Sequence, residues 1–148
     1  MDSDQEDAAL LAVARAIVGI SAHAADELGS VSIVQLRALT VLRELGPASL
    51  VQLAEGVGVT ASTTSRLVDR LVAGGFAERH PSPESRRQIE LRLTGDGDAL
   101  LERYDRLRLA GLQDILDRLP EDRRAAIAQA LTEFAMAART LPETADVG

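Results

Sequence analysis

The stretch "GVTASTTSRLVDRL", Gly58 to Leu71, decides the fold. Thr60, Ser62, Thr63, Thr64 and Ser65 all carry hydroxyls. Such residues form helices poorly, because their side chains compete for backbone hydrogen bonds. Yet Thr64, Leu67, Val68 and Leu71 recur at i, i+3, i+4 and i+7, the spacing of one helical face. The opposite side presents Ser62, Thr63, Arg66 and Arg70. The pattern predicts a helix over 61–73, capped by Thr60 and ended by "GG" at 74–75. Short hydroxyls let such a helix lie close against a partner, and arginine can bond guanine or phosphate.

Upstream, Ser49 opens "SLVQLAEGVGV" and Gln52 follows three residues later, the spacing of a capping box. This predicts a short helix ending at Glu55 or Gly56, with Gly56 and Gly58 supplying the turn. Helix, tight turn and helix over 49–73 is the spacing of a helix-turn-helix, whose second helix enters the DNA major groove. Downstream the period changes. "FAERH" (76–80) and "QIELRLT" (88–94) read as strands, the second alternating Ile89, Leu91 and Leu93 with Gln88, Glu90 and Arg92. Between them "PSPESRR" (81–87) is a polar hairpin tip carrying Arg86 and Arg87. A basic β-loop in this place reads as a wing. It would lay arginine along phosphates or in a narrow minor groove, where the negative potential is enhanced.

The flanks read as helices. In residues 5–28, Leu10, Ala14, Ile17, Ser21, Ala24 and Leu28 form one row, Leu11, Val18 and Ala25 a second, and Val13 and Ile20 widen the surface. A helix apolar over so much of its circumference is buried on several sides, which in a small protein predicts packing against another chain. Gly29 and Ser30 break the pattern, and Ser32 reads as the cap of a helix to about Leu45 with Leu36, Leu39, Val41 and Leu42 inward. "GPAS" (46–49) is a turn. Thr94 reads as the cap of a fifth helix to about Leu119, with Leu100, Leu101, Tyr104, Leu107, Leu112, Ile115 and Leu116 on its apolar side. Pro120 breaks it, and a sixth helix runs from 121 to about 141, where Pro142 stops it. The expected fold is mainly α with a small β-wing: a winged helix-turn-helix plus a helical dimerisation lobe. Residues 1–30 would be an N-terminal dimerisation helix, 31–95 the DNA-binding lobe, and 96–148 the C-terminal dimerisation helices and tail.

Composition bounds the chemistry. The 148 residues suit one domain or two closely joined lobes. Apolar residues make up 46% and aromatics 2%, so the core must be aliphatic. There is no cysteine, hence no disulfide, thiolate metal site or thiol sensor within the chain. His23 and His80 are too few for a zinc site, so no metal or cofactor is expected. No apolar run approaches the roughly 18 residues of a membrane span, and the acidic "MDSDQED" start is wrong for a secretory signal. The expectation is a cytoplasmic protein with no membrane partner. All 16 basic residues are arginine, a bias that GC-rich coding alone would give. The net charge of −7 is unevenly spread. Residues 60–94 hold six arginines (Arg66, Arg70, Arg79, Arg86, Arg87, Arg92) against four acids, a net +2, whereas the remainder is −9. Distribution bears on nucleic-acid binding more than the sum does.

The segment "LAEGVGVTASTTSRLVDRLVAGGFAERHPSPESRRQIELRLTGDG", ending in "LT..G", resembles the helix-turn-helix and wing of the multiple-antibiotic-resistance regulator (MarR) family. "VSIVQLRALTVL" (31–42) is similar to the segment before it, and long helices at both ends extend the likeness over nearly the whole chain. The resemblance implies a homodimer on a pseudo-palindromic DNA operator, a repressor responsive to a small-molecule effector held between the dimer and DNA-binding lobes. It implies a minor-groove arginine in each wing, a position matched by Arg87 with Arg86 beside it. The family's usual aspartate two residues earlier is here Ser85, which would hold the arginine more weakly unless Glu84 substitutes. The candidate DNA contacts are therefore Thr60, Ser62, Thr63, Ser65, Arg66, Arg70, Arg86 and Arg87. His23 and Arg37 are candidates for the effector pocket.

Other patterns are set aside. "GVG" (56–58) lacks the downstream Gly-Lys-Ser/Thr of a phosphate loop, and "TGDGD" (94–98) lacks the further ligands of a calcium loop. No nucleophile–base pair marks an enzyme. The rival function is a winged-helix dimer that binds protein without binding DNA, a reading sustained by the acidic remainder of the chain.

Overall fold

The computed structural model describes residues 1–139. The chain forms α1 (Ser3–Leu28), α2 (Ile33–Leu45), α3 (Leu50–Val57), α4 (Ala61–Ala73), β1 (Ala77–Pro81), β2 (Ile89–Leu93), α5 (Gly95–Asp117) and α6 (Glu121–Arg139). Six helices and a small sheet are the expected fold class. The stop at Pro142 lies outside the described residues. Packing divides the chain into two compact units, Met1–Leu109 and Ala110 onward. The expected division was by role and places its boundaries elsewhere.

Local chemistry starts each helix. Ser32 accepts a hydrogen bond from the Gln35 N–H while the Gln35 side chain accepts from the Ser32 N–H, and Ser49 and Gln52 repeat the arrangement for α3. Thr60 caps α4 by accepting from the Thr63 N–H at 3.2 Å. Each such cap satisfies backbone donors that a helix start leaves without partners. Gly29 ends α1 and Gly58 ends α3 at φ of 71° and 82°, left-handed values that suit glycine.

Gly56 has a different role from the turn expected of it. It lies inside α3, where an added Cβ would meet Val41 Cγ1 at 2.5 Å. The missing side chain lets α3 press onto α2. Helix α3 runs on to Val57, just past the expected end at about Glu55 or Gly56, and Gly58 caps it.

The core of the first unit is aliphatic. Leu36, Leu39 and Leu42 of α2, Leu53 of α3, Val68 and Leu71 of α4, Leu91 of β2 and Leu100 and Leu101 of α5 are buried together, with Tyr104 the one buried aromatic among the described residues. The strands pair antiparallel, Ala77 opposite Leu93 and Pro81 opposite Ile89. A single bridge between Ala48 and Leu91 adds a short third edge and ties the start of α3 to the wing. The alternation expected for β2 holds at Leu91, which is buried, and fails at Ile89, which is exposed near the hairpin tip.

Helices α1, α5 and α6 carry large apolar side chains that stay exposed, Leu109, Leu112 and Ile115 on α5 among them. On α1 only Ser21, Ala24 and Ala25 are buried, whereas Leu10, Leu11, Val13, Ile17 and Val18 are 48–62% exposed. In the second unit α6 has no buried residue, and Leu131, Phe134 and Met136 are exposed. Helix α1 is also long and apolar enough, by length and composition, to cross a membrane, with a mean hydropathy of 1.7 in its most apolar stretch. This corrects the expectation that no run reaches that length. Leucine, valine, isoleucine and alanine carry the average across Arg15, which interrupts the uncharged run.

Candidate nucleic-acid interface

Helix α4 divides as its spacing requires. Thr64, Leu67, Val68 and Leu71 are at most 7% exposed, while Ser62, Thr63, Arg66 and Arg70 are exposed and Ser65 is half-buried. Thr64 turns its hydroxyl back to the Thr60 carbonyl at 2.9 Å, so its polar atom is satisfied inside the core. Thr60 Oγ1 lies 3.2 Å from Ser62 Oγ and donates to Thr63 Oγ1 at 3.0 Å. The three hydroxyls thus form a small network at the exposed start of α4. The Thr63 hydroxyl keeps its own proton to donate outward. Thr60 is exposed and is at once the helix cap and the centre of this network.

The wing holds its two arginines at the tip. The Ser82 N–H donates to the Gln88 carbonyl at 2.8 Å and the Gln88 N–H to the Ser85 carbonyl at 3.1 Å, closing the turn around Arg86 and Arg87. The Ser85 hydroxyl accepts from the backbone N–H of Arg87 at 3.3 Å. Serine therefore fixes the main chain of Arg87 and leaves its guanidinium unheld. Glu84 makes no ion pair with it among the described residues, so it does not replace the absent aspartate.

Ion pairing sorts the six arginines of this region. Arg79 is paired with Asp69, and Arg92 with Glu90 at 2.8 Å. Arg66, Arg70, Arg86 and Arg87 are exposed and have no ion-pair or hydrogen-bond partner for their side chains among the described residues. The local excess of positive charge therefore sits on two elements, the outer face of α4 and the wing tip. Towards the hairpin tip, His80 Nε2 lies 2.7 Å from Glu78 Oε1 and has no hydrogen-bond partner among the described residues.

The junction of wing and α5 explains the "LT..G" ending. Thr94 Oγ1 donates to the Gly75 carbonyl at 2.6 Å and accepts from the Gly97 N–H at 3.0 Å, so one hydroxyl joins the end of α4 to the start of α5. An added Cβ on Gly97 would fall 2.1 Å from the Phe76 carbonyl oxygen. Threonine and glycine are needed there because strand, turn and helix meet at contact distance.

His23 and Arg37 lie on different helices and make different contacts. His23 is exposed and lies 3.6 Å from Glu27 along α1. Arg37 donates to the carbonyls of Val57 and Gly56 at 3.4 and 3.5 Å, bracing the end of α3 from α2. A cleft of about 770 Å³ lies between the start of α3 and the wing, and one of about 250 Å³ is lined by Glu27, Arg103, Arg106 and Leu107. Neither His23 nor Arg37 lines either cleft. The Arg37 brace and the Asp69–Arg79 pair join residues far apart in sequence, and no local pattern marks them.

A buried-face helix following a tight turn, succeeded by a two-stranded hairpin, defines a winged helix-turn-helix protein. The MarR family's sequence profile matches residues 31–89. The multiple antibiotic resistance protein MarR of Salmonella typhimurium is 34% identical over 68 residues, 46% of this chain and 47% of the relative. The transcriptional repressor NicR of Pseudomonas putida is 35% identical over 69 residues, 47% of this chain and 44% of the relative. The chain spans about half the length of these curated relatives. The crystal structure of RV1404 from Mycobacterium tuberculosis superposes with a TM-score of 0.81 at 34% identity, covering 93% of this chain and 94% of that one. Residues 31–89 of this chain are thus a winged helix-turn-helix of the MarR family.

Proposed function

We propose that this protein is a sequence-specific, double-stranded-DNA-binding repressor that acts in the cytoplasm as a homodimer. One observation carries the reading: of the six arginines in residues 60–94, the four on α4 and the wing tip stand exposed without partners among the described residues, in a chain whose net charge is −7. Arg66, with Ser62 and Thr63, would read base edges in the major groove. Arg70, Arg86, Arg87 and the Thr60 network would contact phosphates and fix the register. The exposed apolar rows of α1 and α6 would be covered by the second copy. A two-fold dimer would set its recognition helices about one DNA turn apart, roughly 34–36 Å.

An effector would release DNA only through a different affinity for the two dimer states. Arg37 offers a means. A ligand that drew its guanidinium from the Val57 and Gly56 carbonyls would loosen the helix preceding α4. His23, one helix away in sequence, remains the second candidate contact.

A fluorescence titration with DNA from the adjacent promoter tests the reading against random DNA of equal length. The expected result is tighter binding to the promoter, weakening as salt rises. Equal affinity for both duplexes would end the claim of sequence specificity. No affinity for either would favour the protein-binding alternative.

A further inference from the structure

We propose that Arg79 is a positioning residue for DNA recognition, and that its pair with Asp69 locks the wing to the recognition helix while withdrawing a carboxylate from the DNA-facing surface. The inference rests on the DNA-binding reading above and assigns a role within it. Four unpaired arginines lie on two separate elements, α4 and the hairpin tip. They can engage one duplex together only if those elements keep a fixed relation. The base of the wing is held by main-chain bonds, Phe76 N–H to the Leu71 carbonyl at 2.9 Å and Thr94 N–H to the Phe76 carbonyl at 3.1 Å. Beyond that base, the Asp69–Arg79 ion pair is the only one joining α4 to the hairpin among the described residues.

The position of Asp69 gives the pair its second effect. It stands three residues after Arg66 and directly before Arg70 on the exposed side of α4, with its side chain 65% exposed. Left alone, its carboxylate would repel phosphate. Residues three apart on a helix also meet, so it would capture Arg66. Arg79 takes the carboxylate instead. It lies on the same side of β1 as the buried Ala77, by the alternation of a strand, and its guanidinium pairs with Asp69 on α4. Arg66 and Arg70 are thereby left free.

The test uses the full-length protein and a duplex enriched by it from a random-sequence library. Arg79→Met, Asp69→Asn and the double variant are compared with wild type for affinity across a salt series, and melting temperature is recorded for each. Each single variant should bind about two- to fivefold more weakly, the range expected when one exposed ion pair is lost. The double variant should bind no worse than the weaker single one. The slope of log affinity against log salt should stay at the wild-type value, because Arg79 touches no phosphate. Arg79→Lys, which keeps the charge pair, should bind nearly as well as wild type. That comparison decides the matter if the methionine variant folds poorly. A slope shallower by about 0.9 in Arg79→Met would show a direct phosphate contact and overturn the proposal. Tighter binding by Asp69→Asn would do the same, since the carboxylate would then be merely repulsive. If wild type enriches no duplex at all, the DNA-binding reading itself falls. Enrichment by wild type followed by either contrary result removes the positioning role alone.

Discussion

Helices α1 and α4 solve opposite problems with similar spacing. On α4 the apolar row is sealed within its own unit, with Thr64, Leu67, Val68 and Leu71 at most 7% exposed. What remains outside is polar and cationic. On α1 the apolar row from Leu10 to Val18 stays open, and only its last turns reach the core. Fully burying one leucine-sized side chain contributes about 1.5–3 kcal/mol, so an open row of five such residues is a large reserve for association. The two helices therefore advertise different partners, an apolar surface for α1 and a polyanion for α4.

Breaking the α1 side should have the largest effect. Ile17→Asp places a charge in the open apolar row. Sedimentation should show a monomer, and operator affinity should fall by about 10²–10⁴-fold as two linked half-site contacts become independent. A dimer that survives this change would locate the interface elsewhere.

On the α4 side, Arg66→Ala should cost about 1–3 kcal/mol and relax the preference at one base position. A binding-site selection repeated with the variant reads this directly; an unchanged consensus would remove Arg66 from base reading. Arg87→Ala should weaken binding to most sequences alike and make the salt slope shallower by about 1, with AT-rich flanks most affected. Its guanidinium has no partner to lose among the described residues, so thermal stability should be unchanged.

The smallest change is to the cap. Thr60→Ala removes the acceptor for the Thr63 N–H and the hub of the hydroxyl network. Stability should fall by about 1 kcal/mol, read as a lower denaturant midpoint at unchanged slope. An unaltered midpoint would show that the cap does not hold α4 in place.

The contrast between the helices also shows how far the sequence could be read. The caps at Ser32, Ser49 and Thr60 were legible because donor and acceptor lie within three residues of each other. The burial of Thr64 followed from period alone. The role of Gly56 did not, because glycine in "GVG" suits a turn equally well, and only the approach of Val41 distinguishes the two. The bonds of Arg37 to the end of α3 were not legible either, because they join residues about twenty positions apart. The Asp69–Arg79 pair spans ten residues and two kinds of element, so neither helical nor strand periodicity could reveal it. For the same reason the charge count over 60–94 treated six arginines alike, whereas four of them are unpaired among the described residues.

The central claim is that those four arginines form the DNA surface. It is tested most directly by replacing Arg66, Arg70, Arg86 and Arg87 together with glutamine and measuring affinity for the promoter duplex across a salt series. The account predicts a folded dimer with the wild-type melting temperature, greatly reduced affinity, and a salt slope shallower by about 0.9 for each phosphate contact removed. A variant that binds with wild-type affinity and an unchanged slope would contradict it.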